Sequence, residues 1–137
     1  MASLTFFETF SEDLAEKVHN LGSDQLVVAL TNSAPTAATD GQLSDITEIT
    51  YTNLSSRNIT TTSSGQSSGT YSLVLTDLTL TASGGSVGPF RYVVVYNDAA
   101  TNDELIGFYD YGSSITLGDG ETLDIDFAAT TVTLTPA

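Results

Sequence analysis

The chain contains no cysteine and no tryptophan. Without cysteine there can be no disulfide and no thiolate metal ligand, and the redox state of the compartment leaves no mark on the sequence. Without tryptophan, any core must be filled by Val, Ile, Leu, Phe and Tyr. Positive charge is almost as scarce. Lys17, Arg57 and Arg91 stand against seventeen acidic residues, for a formal net charge of −14. So few cations cannot neutralise a phosphate lattice, which argues against nucleic acid as a partner. An anionic membrane surface would repel the chain for the same reason. Long hydrophobic runs are missing too. The longest aliphatic stretch, residues 26–30, is far too short to span a bilayer. The first sixteen residues carry no Lys, no Arg and no long apolar run, so no secretory signal is expected. The sequons at Asn53-Leu-Ser and Asn58-Ile-Thr then read as chance matches in a Ser/Thr-rich chain.

What remains is enough for a core. The 137 residues are the length of one ordinary domain, and 40% of them are hydrophobic. The expected organisation is therefore a single domain over 1–137. The acidity fits a solvated, salt-tolerant exterior best, and a basic or divalent-rich partner second.

Periodicity predicts one substantial helix, at roughly residues 6–19. Phe7, Phe10, Leu14, Val18 and Leu21 recur at three- and four-residue steps. Thr5 with Glu8, or Thr9 with Glu12, fits a capping box. Glu8, Glu12 and Asp13 lie early and Lys17 and His19 late, as the helix dipole favours. Asn20 and Gly22 supply a stop. Residues 25–31 follow as an apolar run without alternation, which predicts a strand covered on both faces. A long connection, about residues 34–56, has no clear period but keeps Leu43, Ile46, Ile49, Tyr51 and Leu54. It reads as an arm that packs on its own body or on a neighbour, with one helical turn near Ser44.

The remainder, from about residue 57 onward, reads as a β body. A short strand over 57–62 precedes a flexible run, residues 63–69. The apolar parity shifts between Tyr71, Leu73, Leu75 and Leu78, Leu80, which predicts a turn or bulge near Thr76-Asp77. Residues 83–89 form a Gly-rich loop, and residues 90–96 a second central strand. A polar hairpin loop over 97–103 leads to a return strand over 104–111. Strands over 114–117 and 122–127 flank Gly118-Asp119-Gly120, read as a tight hairpin. Residues 131–135 close the chain. About seven or eight short strands after one helix argue for a mainly β fold, an antiparallel sandwich or barrel with one N-terminal amphipathic helix.

Chemistry is hard to assemble from these residues. His19 is the only histidine, and its expected place at a helix C-terminus suits a dipole partner better than a catalytic base. Zinc would have to be held by carboxylates alone. Gly84, Gly85 and Gly88 are followed by no helix, so they read as a turn and not as a phosphate loop. Asp124 and Asp126 share one side of a strand, roughly 7 Å apart. Leu123, Ile125 and Phe127 take the inward side, which leaves both carboxylates in water without reason for a raised pKa. Calcium is conceivable at Asp98, Asn102 and Asp103, or at Asp119 and Glu121, but the spacings match no EF-hand loop, and polar turn residues explain them. No enzyme activity, cofactor or metal is expected.

Partner-facing features are more informative. Phe6, Phe7 and Phe10 cluster at one end of the expected helix, with Phe6 off its main stripe. Arg57 and Arg91 each sit in or beside a strand of an acidic body, where a carboxylate pair is expected within the protomer or across an interface. An ordinary surface bridge fits as well. The expected interface set is Phe6, Phe7, Phe10, Leu43, Ile46, Ile49, Tyr51, Arg57 and Arg91.

The segment GGSVGPFRYVVVYNDAATNDELIGFYDYGSSITLGDGETLDIDF, residues 84–127, resembles small β-rich virion proteins of tailed bacteriophages. Its carriers are the Tyr-Asn-Asp hairpin, Leu-Ile-Gly, the aromatic-Asp-aromatic-Gly step and a Gly-Glu turn. The opening is also similar: a short amphipathic helix, DQLVVALTNSAP, and the Ser44-Asp-Ile loop. The resemblance implies a capsid decoration (cement) protein on the outer head surface, made in the host cytoplasm. Its partner would be the major capsid protein and its state a homotrimer. A tail or head–tail connector component is the alternative within that group. A carbohydrate- or surface-binding β-sandwich module is the alternative outside it, with Tyr92, Tyr96, Phe108, Tyr109 and Tyr111 as its aromatic set.

Overall fold

A computed structural model describes residues 3–128 and 130–136. The elements run β1 (Thr5–Phe6), α1 (Thr9–Ala15), β2 (Leu26–Thr31), β3 (Asn58–Ile59), β4 (Thr61–Ser67), β5 (Thr70–Leu75), β6 (Leu78–Thr81), β7 (Val87–Asn97), β8 (Leu105–Leu117), β9 (Thr122–Ile125) and β10 (Val132–Leu134). All pairings between them are antiparallel. They form a five-stranded sheet in the order β1-β8-β7-β2-β3, a three-stranded sheet β10-β5-β4 and a two-stranded sheet β6-β9. The fold is mainly β and sandwich-like, with one short helix near the N-terminus, as the sequence predicts.

The five-stranded sheet is the centre because both of its faces are covered. Leu26, Val28 and Leu30 of β2, with Val93 and Val95 of β7, meet Leu73, Leu75, Leu80, Leu123, Ile125 and Val132 from the two smaller sheets. Val27 and Ala29, with Val94 and Tyr96, meet Phe7, Ile46 and Leu105 on the opposite face. Successive strand residues point to opposite faces, so a doubly covered strand must be apolar at every position. All six residues of β2 are buried accordingly. Each fully buried Leu, Val or Phe contributes about 1.5–3 kcal/mol relative to exposure.

The parity shift near Thr76-Asp77 marks a change of sheet. β5 pairs with β4 and β10, whereas β6 pairs with β9. Asp77 holds this corner by accepting the Phe127 amide at 2.9 Å.

The expected helix over 6–19 is shorter, Thr9–Ala15. Thr5 and Phe6 are instead a strand, in register with Phe108 and Gly107 of β8. Ladder bonds to an existing sheet outweigh the helical propensity of a few residues. Phe7 and Phe10 therefore do not share a helical stripe; they lie in the two separate core clusters on opposite faces of the sheet. No side-chain cap forms at the helix start. The stop comes at Lys17, whose φ of 69° is left-handed, and the Val18 amide bonds back to the Asp13 carbonyl at 2.8 Å. This is the closing geometry usually given to glycine.

Other boundaries also move. Residues 63–69 are not a flexible run: Ser63–Ser67 continue β4, and Ser68-Gly69, with φ of 52° and 86°, make a two-residue turn into β5. The strands expected over 104–111 and 114–117 are one strand, β8. Its partner β7 is long enough to carry both pieces, with residues 111–114 bulging outward where the register passes from Phe90–Ile115 to Tyr92–Asp110. Gly118-Asp119-Gly120 is a tight turn but not a hairpin. β8 stays with β7 while β9 crosses to β6.

Candidate interaction surface

The segment over residues 34–56 is a strap on the chain's own body. A 3-10 turn at Leu43–Asp45 opens it, and isolated bridges tie Thr31 to Glu48, Gln42 to Glu104 and Leu54 to Ala82. Ile46 is buried against Val27 and Val94, while Leu43 is partly buried beside the same cluster. Ile49 bonds through its amide to the Leu30 carbonyl at 3.0 Å. Tyr51 locks the strap: its hydroxyl accepts the Leu30 amide at 2.9 Å and donates to Glu48 Oε1 at 2.7 Å. Burial, then the bond to Glu48, push the Tyr51 phenol well above the ordinary tyrosine range. Arg57 lies 3.7 Å above the Tyr51 ring and donates to the Val28 carbonyl at 2.7 Å, with Glu48 at 4.0 Å. Ile46, Ile49, Tyr51 and Arg57 thus turn inward, onto their own protomer; of the two placements expected for this segment, its own body or a neighbour, the structure shows the first. Its backbone cannot pair within a helix or a regular sheet, so side chains and isolated bridges satisfy it.

The N-terminal phenylalanines divide. Phe7 is 1% exposed and Phe10 8%, so both are used within the protomer. Phe6 is 40% exposed and stacks on Phe10 with ring centroids 5.3 Å apart. Of the three, Phe6 alone offers an accessible face.

Arg91 pairs with Asp110 within the protomer, through Nε at 2.8 Å and Nη2 at 3.1 Å. The Gly112 amide donates to the same carboxylate at 2.8 Å. Arg91 first, and then Gly112, hold the Asp110 carboxyl below its ordinary range. The pair is two-fifths exposed and sits at the base of the β8 bulge, from which Tyr111 projects into solvent.

The carboxylates singled out from the sequence are surface groups. Asp124 and Asp126 are exposed, and Thr79 donates to Asp124 at 2.7 Å, whereas Leu123, Ile125 and Phe127 are buried. Asp119 accepts the Gly84 amide at 2.9 Å and Glu104 the Asn102 amide at 2.6 Å, so these loop acids cap turns. Among the described residues no group of three or more His, Asp or Glu side chains is placed to hold a metal ion. No helix among them is long and apolar enough to cross a membrane. His19 does not stand at the helix C-terminus. It lies beyond α1, is 5% exposed, and burial lowers its pKa. It lines a cleft of about 880 Å³ with Leu14, Lys17, Tyr71, Glu104 and Leu134.

One surface escapes a reading by apolar pattern. β4 ends the three-stranded sheet and is exposed over Thr62–Ser67. In a two-residue hairpin the closing pair exchanges hydrogen bonds, and every second pair does likewise. Ser67–Thr70 and Gly65–Ser72 are therefore bonded inward, and the backbone groups of Ser64 and Gln66 point away from β5. No charged residue occurs between Arg57 and Asp77, the longest uncharged run in the chain. An edge without Lys, Pro or charge is a template for another strand. That uncharged run was the signal available in the sequence.

Comparison with protein-family models, curated proteins and solved structures returned no match.

Proposed function

We propose that this chain is a structural virion protein that decorates the head of a tailed phage. It would bind the major capsid protein on the outer shell and brace contacts between neighbouring capsid subunits. The structural observation carrying this reading is the open β4 edge, a neutral window in a surface with a formal charge of −14. Strand addition at such an edge takes its affinity from main-chain hydrogen bonds, and the absence of charge lets another acidic chain approach without repulsion. Individually weak contacts suffice when many copies bind one lattice. The resemblance read from the sequence of residues 84–127 points the same way and would imply a homotrimer. The carbohydrate-binding alternative has less support, because Tyr96 and Tyr109 are buried and Tyr92 and Phe108 partly so, which leaves Tyr111 as the exposed member of the set.

The test is co-sedimentation with expanded and immature heads assembled from the major capsid protein of a tailed phage whose genome carries this chain. Binding to expanded heads, and its loss in Ser64→Pro, is the expected result. Proline there removes an outward N–H and leaves the β4–β5 ladder intact. Failure of the wild-type chain to bind either head form, together with binding to a glycan array, would sink the proposal. Light scattering at three times the 14.4 kDa chain mass is expected for the trimer.

A further inference from the structure

Asn97, at the end of β7, is fully buried, and its amide orientation is fixed. Its Oδ1 accepts the Ala99 amide at 2.9 Å. The amide nitrogen therefore faces the other way, where it donates to Asp24 Oδ2 at 2.7 Å and lies 3.0 Å from His19 Nδ1. An amide nitrogen donates and does not accept, so Nδ1 of His19 is the unprotonated, accepting nitrogen. The proton of the neutral ring then sits on Nε2, which is buried and meets no hydrogen-bond partner among the described residues. The ring also packs against Phe10, with centroids 5.4 Å apart.

This contact joins two parts of the chain. Asp24 Oδ2 also accepts the Asn20 amide at 2.8 Å, and the Asp98 amide bonds to the Gln25 carbonyl at 3.0 Å. His19 and Asp24 thus hold the α1–β2 connection against the end of β7 and its loop. We infer that His19 is an acid-sensitive latch. Neutral, it accepts from Asn97 and fastens the connection to the β7–β8 loop. Protonated, it sets a donor against a donor and leaves a charge in the core, so the connection releases with uptake of one proton.

The charged groups facing the ring are Asp24 from the connection and Glu104 from the foot of β8, and both favour the imidazolium. Asp13 of α1 lies beside Glu104, and Lys17 lines the same cleft. Burial opposes the two carboxylates and prevails, which keeps the folded ring neutral below the ordinary value of 6.5. The unfolded chain takes up the proton near that value while the folded chain does not. The latch's contribution to stability is therefore full above that value and is lost progressively as pH falls below it, down through the lower value of the folded ring.

Imidazole ¹H–¹⁵N correlation spectra of the wild-type chain test the ring directly. The expected result is an Nε2-protonated tautomer that persists below the ordinary histidine range. An Nδ1–H tautomer, or titration at the ordinary value, overturns the inference. In amide exchange under acidification, residues 20–24 and 98–104 should lose protection before β2 and β7; simultaneous loss overturns the latch. His19→Asn supplies a non-titrating acceptor. The wild type should lose its margin in melting midpoint over this variant by roughly 3 °C between about pH 7.5 and 5, and a constant margin counts against the latch. If the variant does not fold, the spectra and exchange on the wild type decide alone.

Discussion

The central sheet and the β4–β5 hairpin follow opposite rules. β2 has all six residues buried, because the two smaller sheets cover one face and the strap with Phe7 covers the other. β4 is polar and exposed for most of its length and, among the described residues, has a neighbouring strand on one side alone. In the sheet, stability comes from apolar area removed from water, and a missing methylene is felt. In the hairpin it comes from ladder bonds, a well-chosen turn and the inward Leu73 and Leu75 of β5. The difference separates two jobs: one region fixes the shape, and the other leaves backbone groups available to something else.

The largest effect expected from this contrast is at Phe90, fully buried in β7. Phe90→Ala should cost about 3–5 kcal/mol in urea unfolding. A loss below about 1 kcal/mol would show that the sheet is not the cooperative centre. Next is the strap. Tyr51→Phe removes the acceptor of the Leu30 amide, leaving a buried donor unpaired at a cost of about 1–3 kcal/mol. Amide exchange should show the loss at Leu30 and along the strap, with β4 unchanged.

Smaller still is the turn. Gly69, at φ 86°, has open space around it, so Gly69→Ala meets backbone strain alone. It should cost about 1 kcal/mol and lower exchange protection in β4 and β5 before β2 and β7. Equal loss everywhere would mean that hairpin and sheet unfold as one unit. Smallest in stability is Ser64→Pro, expected within about 1 kcal/mol of wild type by thermal melting. Its effect should fall on head binding, so a stable variant that still binds would move the interface away from β4.

How much was legible depended on whether a residue's neighbours were local. The unbroken apolar runs in β2 and β7 could be read as doubly covered strands, because only burial on both faces permits them. Asp124 and Asp126 could be placed in water because their alternation with Leu123, Ile125 and Phe127 is itself the face assignment. Phe7 and Phe10 could not be separated, since their spacing fits a helix and only pairing with β8 breaks it. The interface residues fared alike. Phe6 carries exposed aromatic surface, but Ile46, Tyr51 and Arg57 face inward, because a strap on the chain's own body and an arm on a neighbour have the same sequence signature.

By itself, then, the sequence determined an acidic, cysteine-free, mainly β chain with one N-terminal helix, two central strands and a break in the strand pattern near Thr76-Asp77. These follow from composition and from a period of two, which are properties of neighbouring residues. Tertiary structure alone decided that the 34–56 segment closes the sheet, that His19 is buried against Asn97, and that β4 is left with one edge open. Those outcomes depend on contacts between residues far apart in the chain, and no local pattern records which distant surface a segment will meet.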